Sequence, residues 1–201
     1  MTQATAVAPA LNMEQIDQFV RLHNISWEDY EALLAMRGEN GGLRVTYLEG
    51  ELEIMTPSIN HESLKTRLAR LLETYAEVKG IELEGYGSWT LKKAKKKRGV
   101  EPDECYVVGA GETPPDRPDI AIEVIWTSGG IDKLEVYRGL EVPEVWIWQD
   151  NALRFYSLQG TDYVVIPRSR ILPELDPALI ARFMSAQSQT QAVRSLRQAL
   201  L

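Results

Sequence analysis

The chain has 201 residues, with 44% hydrophobic and 25% charged content, which falls in the range of soluble globular proteins and excludes disordered and fibrous classes. A single Cys105 cannot form an intrachain disulfide, and with only His23 and His61 beside it no Cys/His zinc cluster can be assembled. Neither a signal sequence nor a run of ~20 apolar residues is found, so the expectation is a reducing, cytoplasmic setting with no membrane contact.

Charge is unevenly distributed. Of 22 basic residues against 29 acidic ones, Lys92, Lys93, Lys95, Lys96, Lys97 and Arg98 supply six within seven positions, leaving 16 against 29, or −13, elsewhere. Such a run is either a solvated loop or a local basic flap on an acidic body.

Residues 1–12 are small and unpatterned and are expected to form a flexible tail. Ser26 is a suitable N-cap for a helix over Trp27–Arg37. Leu43–Tyr47 and Glu51–Met55 then form a hairpin around Glu49-Gly50. Asn60 is placed to cap a long helix in which Leu64, Leu68, Leu71, Leu72, Tyr75 and Val78 recur at helical spacing, until Gly80 ends it. Strands are expected over Glu82–Leu91, Asp103–Val108 and Asp119–Trp126, then a short helix over Asp132–Arg138. Further strands follow at Val145–Gln149, Leu153–Leu158 and Tyr163–Ile166, and a helix at Ala178–Met184. This order is α+β (mixed α/β), with a single domain over residues 13–185 and a helical extension or tail over 186–201.

One strand carries an anomaly. Alternation along Asp119–Trp126 sets Ile120, Ile122, Val124 and Trp126 on one face and Asp119, Ala121, Glu123 and Ile125 on the other. Unpaired carboxylates are costly on a buried strand, so Glu123 needs either a salt bridge or a metal ion shared with a second acid. Asp103, at the start of the preceding strand, is a candidate for that second acid, and two carboxylates suit Mg²⁺, which keeps several waters. On the short helix, Lys133 falls on the side of Leu134, Val136, Tyr137 and Leu140 and away from Glu135 and Arg138, so it either snorkels or meets a counter-charge. The apolar segments around Trp126, Trp146 and Trp148 point to core or subunit contacts.

Pro102-Asp103 followed by Glu123-Val124-Ile125 resembles the PD-(D/E)xK motif of restriction-endonuclease-like nucleases, with Ile125 where the motif has lysine. The wider pattern resembles the Uma2 family of restriction-endonuclease relatives: Glu49-Gly50-Glu51-Leu52, Pro57, His61-Glu62, Glu101-Pro102-Asp103-Glu104, Pro118-Asp119 through Glu123-Val124, Lys133, Tyr137 and Val142-Pro143-Glu144-Val145-Trp146. The resemblance implies a central mixed β-sheet flanked by helices and a lysine moved to the following helix, at Lys133. It implies DNA phosphodiester hydrolysis, with Asp103 and Glu123 holding Mg²⁺, or Mn²⁺, alongside the Val124 carbonyl. Lys133 would orient water or neutralise developing charge, so Lys133→Met is expected to abolish cleavage with the fold nearly intact.

Four further residues are secondary candidates. Asp119 could bind a second metal, or serve a turn or a salt bridge to Arg117. Glu62 could contribute from the long helix although it points away from the apolar stripe. His61 could join the site or be a hydrogen-bonded packing residue, and Tyr137 is a core aromatic whose hydroxyl could reach the site. Cutting both strands of DNA implies a homodimer. Two rival readings stay open: a catalytically inactive interaction module with a nuclease fold, and an enzyme acting on another phosphoester.

Overall fold

A computed structural model describes residues 15–38, 42–109, 111, 115–127 and 130–201. The tail expected over residues 1–12 lies outside them, as do Ser128 and Gly129 of the turn before the short helix.

Two sheets divide the strands. Strands β1 (Gln18–Leu22), β2 (Arg44–Leu48), β3 (Glu51–Thr56), β5 (Leu91–Lys93) and β6 (Arg98–Val100) form an antiparallel sheet in the order β1-β3-β2-β6-β5. Strands β4 (Leu83–Gly85), β7 (Glu104–Val108), β8 (Ile120–Val124), β9 (Glu144–Gln149), β10 (Ala152–Gln159) and β11 (Asp162–Ile166) form a mixed sheet in the order β11-β10-β9-β8-β7-β4, its parallel pair being β8 and β9. The helices are α1 (Trp27–Arg37), α2 (Ile59–Lys79), α3 (Lys133–Leu140), α4 (Pro177–Met184) and α5 (Gln189–Leu200). Helix α3 is the crossover that a parallel pair requires.

The hairpin turn is Glu49-Gly50, with both residues at positive φ (48° and 102°), the geometry that lets two strands with right-handed twist meet through two residues. Helix α2 begins one residue before Asn60, because Ser58 is the cap: its hydroxyl accepts the His61 N–H at 3.2 Å. One face of the mixed sheet packs Ile120, Ile122, Val124, Trp146 and Trp148 against Leu68, Leu71, Leu72 and Tyr75 of α2, with α4 and α5 closing the same core through Ile180, Ala192 and Leu196. On the opposite face Ala121, Val145 and Ile147 meet Val136, Tyr137 and Leu140 of α3.

Two expectations need correction, and one strand was not anticipated. The strand read over Glu82–Leu91 is two strands in different sheets, because the chain leaves one sheet at Gly85 and passes through Gly87, held at φ 58°, before joining the other. Strand β1 gave no clear alternating signal; it is an edge strand with four of its five residues exposed. Trp126 lies past the end of β8 and is 46% exposed, with its indole N–H bonded to the Gln15 carbonyl at 2.8 Å instead of buried in the core.

Candidate active site

The β7–β8 register pairs Glu104 with Ile122, and one step further along the ladder Asp103 comes opposite Glu123, so the two side chains share a face. Asp103 grips β8 on both sides of that residue: its N–H donates to the Ile122 carbonyl at 3.1 Å, and its Oδ2 accepts the Val124 N–H at 2.7 Å. Both acids are buried, at 1% and 2% exposure.

Helix α3 covers this face. Asp132 caps it by accepting the N–H groups of Leu134 and Glu135, which fixes its first turn beside the end of β8. From that turn Lys133 Nζ reaches Glu123 Oε2 at 2.7 Å, and one turn later the Tyr137 hydroxyl donates to Glu123 Oε1. Of the two sequence alternatives for Lys133, the counter-charge is the one realised.

The electrostatics follow from this packing. Burial raises the Glu123 pKa, Lys133 opposes it and the Asp103 charge adds to it, so Glu123 lies above the usual carboxylate value. Burial acts on Asp103 in the same direction, but the close contact and charge of His61, with the Lys133 charge, outweigh it and hold Asp103 low. Asp103 is thus the acid that ionises first. Burial lowers Lys133, yet the charges of Glu123 and Asp103 prevail and raise it. The Tyr137 hydroxyl is pushed well above its ordinary value by burial and by Glu123, and stays a donor.

His61, on the first turn of α2, is 1% exposed and lies between two acids: Nε2 is 2.9 Å from Asp103 Oδ1 and Nδ1 is 3.2 Å from Asp17 Oδ2. The contact with Asp103 is close but poorly aligned, so neither Nε2 nor Asp103 Oδ1 has a well-directed hydrogen bond. Burial disfavours the imidazolium, but the hydrogen bonds and charges of Asp103 and Asp17 win and raise His61 to about 9.

The other candidates lie differently. Asp119 is committed to the ladder: its Oδ2 accepts the Val108 N–H at 2.9 Å. Glu62 is 41% exposed at its side chain and pairs with Lys65 at 2.6 Å and Arg44 at 3.9 Å, on α2 and β2, apart from Glu123. Glu144 of the family-like pattern is structural, binding the Trp146 indole, the Ser169 hydroxyl and the Arg170 N–H.

Two buried acids escaped the sequence reading. Asp17 sits ahead of the unrecognised β1. Glu53 lies on β3 between Leu52 and Ile54, where alternation allows an outward position, yet it is 2% exposed, accepts the Ile131 N–H at 2.8 Å and pairs with Arg21 at 3.1 Å. Its burial arises because β3 is covered on both faces, which no single-strand pattern reveals. Glu53, Glu123, His61, Lys133, Ile125 and Tyr156 are among the residues lining a cavity of about 340 Å³ between the two sheets.

The basic run is partly spent. Lys92 pairs with Glu31 at 2.7 Å and Lys93 with Glu141 at 3.0 Å, while Arg98 is buried and binds Glu49 and, on α3, Glu135 at 3.1 Å. Lys95, Lys96 and Lys97 are exposed. Among the described residues no helix is long and apolar enough to cross a membrane, and no group of three or more His, Cys, Asp or Glu is arranged to hold a metal ion.

Comparison with known families matches residues 27–185 to the model of the Uma2 family, described as "Putative restriction endonuclease". No curated protein matches the chain.

Proposed function

We propose that this chain, which belongs to the Uma2 family, is a metal-dependent endonuclease that hydrolyses DNA phosphodiester bonds. The observation that carries the reading is the meeting of two buried acids and one half-buried amine, Asp103, Glu123 and Lys133, on elements separated in the chain, with Glu123 and Lys133 lining a cavity.

The donor set fits a hard cation. Two carboxylates on neighbouring strands share one face, and among the described residues a site with two side-chain acids matches the preference of Mg²⁺ or Mn²⁺ for few protein oxygens and several waters rather than the closed ligand sets of zinc. Asp103 and Glu123, with the Val124 carbonyl, would hold it. When bound, such an ion polarises the scissile phosphate.

The chain's own groups do the rest. Lys133 favours the ionised form of Glu123 and offers an ammonium to charge developing on the phosphoryl oxygens. Tyr137 fixes the other oxygen of Glu123, so the carboxylate cannot rotate. Lys133 also answers the departure at Ile125: an amine is supplied to Glu123 from α3, which favours an enzyme over an inactive interaction module. Arg98 ties the basic run to α3 through Glu135, so exposed Lys95, Lys96 and Lys97 are carried near the helix that bears Lys133 and are available to DNA phosphates. Cutting both strands calls for two sites, and hence a homodimer.

Supercoiled plasmid incubated with Mg²⁺, Mn²⁺ or EDTA, beside an Asp103→Ala control, tests this. Metal-dependent nicking lost in the variant is the expected result. Binding without nicking would instead identify an interaction module, and neither would direct attention to another phosphoester.

A further inference from the structure

We propose that Asp17 and His61 are a positioning pair that aims Asp103 at the metal, and that residues 15–17 are thereby built into the active site; this rests on the nuclease reading above.

His61 is almost fully buried, and both of its ring nitrogens are engaged by acids, so it acts through a neighbour rather than on DNA. Each of its ring nitrogens faces a carboxylate, Asp103 Oδ1 at 2.9 Å and Asp17 Oδ2 at 3.2 Å. Asp17 is itself held: its other oxygen accepts the Ser58 N–H at 2.8 Å, and the Ser58 hydroxyl accepts the His61 N–H at 3.2 Å. The circuit Asp17–Ser58–His61 therefore locks the imidazole to the start of α2. Asp17 also reaches the far side of the site, where its N–H donates to Thr127 Oγ1 at 3.3 Å, just beyond β8. The Gln15 carbonyl accepts from Trp126 Nε1 at 2.8 Å and from Asn60 Nδ2 at 3.3 Å. Residues 15–17 thus join the two segments, α2 and the end of β8, between which Asp103 stands.

A packing histidine needs one acceptor. Burying three ionisable side chains in a row is costly, and apolar residues of similar volume would pack as well. What the row supplies is a fixed direction for one oxygen of Asp103, the role that a hydrogen-bonded partner behind a metal ligand commonly fills.

The test uses the full chain with Mn²⁺ as probe. Asp17→Asn keeps the shape and the oxygen facing Ser58 but removes the charge behind His61. Its Mn²⁺ affinity by titration calorimetry and its kcat for plasmid nicking should both fall by roughly 10–100-fold, with KM for DNA unchanged and wild-type circular dichroism. His61→Ala should lose at least as much, while His61→Gln, which keeps a donor towards Asp103, should recover part of the Mn²⁺ affinity. This second comparison stands if Asp17→Asn fails to fold. An Asp17→Asn protein with wild-type Mn²⁺ affinity and turnover, or a His61→Gln protein no better than His61→Ala, overturns the positioning role and leaves the nuclease reading in place. A wild-type protein that neither binds Mn²⁺ nor nicks DNA overturns both, and that result is visible without any variant.

Discussion

Replacing Lys133 by Met removes the ammonium 2.7 Å from Glu123 Oε2 and leaves a carboxylate at 2% exposure facing the Asp103 charge. Glu123 already lies above its ordinary value, and the loss of Lys133 takes away the main influence holding it down. In the variant, burial and the Asp103 charge act on Glu123 with no amine to oppose them, so its folded pKa rises further above its unfolded value. An acid whose folded pKa exceeds its unfolded value loses stability as pH rises through that range, and removing one partner of a buried ion pair costs about 3–5 kcal/mol, so the loss should be larger at pH 7 than at pH 5. With roughly 2–4 °C of melting temperature per kcal/mol for a chain of this size, the variant should melt well below wild type at pH 7 and close to it at pH 5. Denaturant titrations at both pH values, followed by the fluorescence of buried Trp146 and Trp148, measure this. Adding Glu123→Gln should restore most of the pH 7 stability without restoring plasmid nicking. A loss at pH 7 below about 1 kcal/mol, or an equal loss at both pH values, would refute the assignment of Lys133 as the counter-ion of Glu123.

Three other outcomes are expected. The His61 pKa is raised to about 9, so its contribution is complete below about pH 6.5 and disappears as pH climbs through 9; wild type should lose about 3 kcal/mol over that window, and His61→Gln should not show this slope in denaturant midpoints. Gly99→Ala would drive a Cβ to 2.5 Å from Tyr30 Cζ, where Tyr30 is wholly buried and stacked on Tyr47, and should cost about 1–3 kcal/mol in urea unfolding. Leu196→Ala empties a fully buried position where α5 meets the core and should cost about 2–5 kcal/mol by the same measurement.

The amphipathic period of α2, the glycine turn of the β2–β3 hairpin and the alternation of β8 could all be read from the chain because each depends on local spacing. For Lys133 the spacing on α3 left two readings, a snorkelling stem or a counter-charge, and the structure shows the second. What could not be read depends on tertiary covering. Glu53 alternates as an exposed residue would, and only the stacking of two sheets buries it. Asp17 belongs to a segment without apolar rhythm whose position is set by hydrogen bonds to Ser58, His61 and Thr127. The basic run could be counted but not apportioned, because the acids that occupy Lys92, Lys93 and Arg98 lie on α1, in the hairpin turn, on α3 and just after it.

Because α3 is the crossover between the parallel strands β8 and β9, the amine that meets Glu123 is delivered by a helix and not by the pleat of a strand. A lysine two positions along the strand would be bound to the register of the sheet, so that a one-residue slip would send it to the opposite side. Carried on α3, its position depends instead on how the helix docks through Val136, Tyr137 and Leu140. Position 125 is thereby released from chemistry and can be chosen for the lining of the cavity, which is where its isoleucine is found.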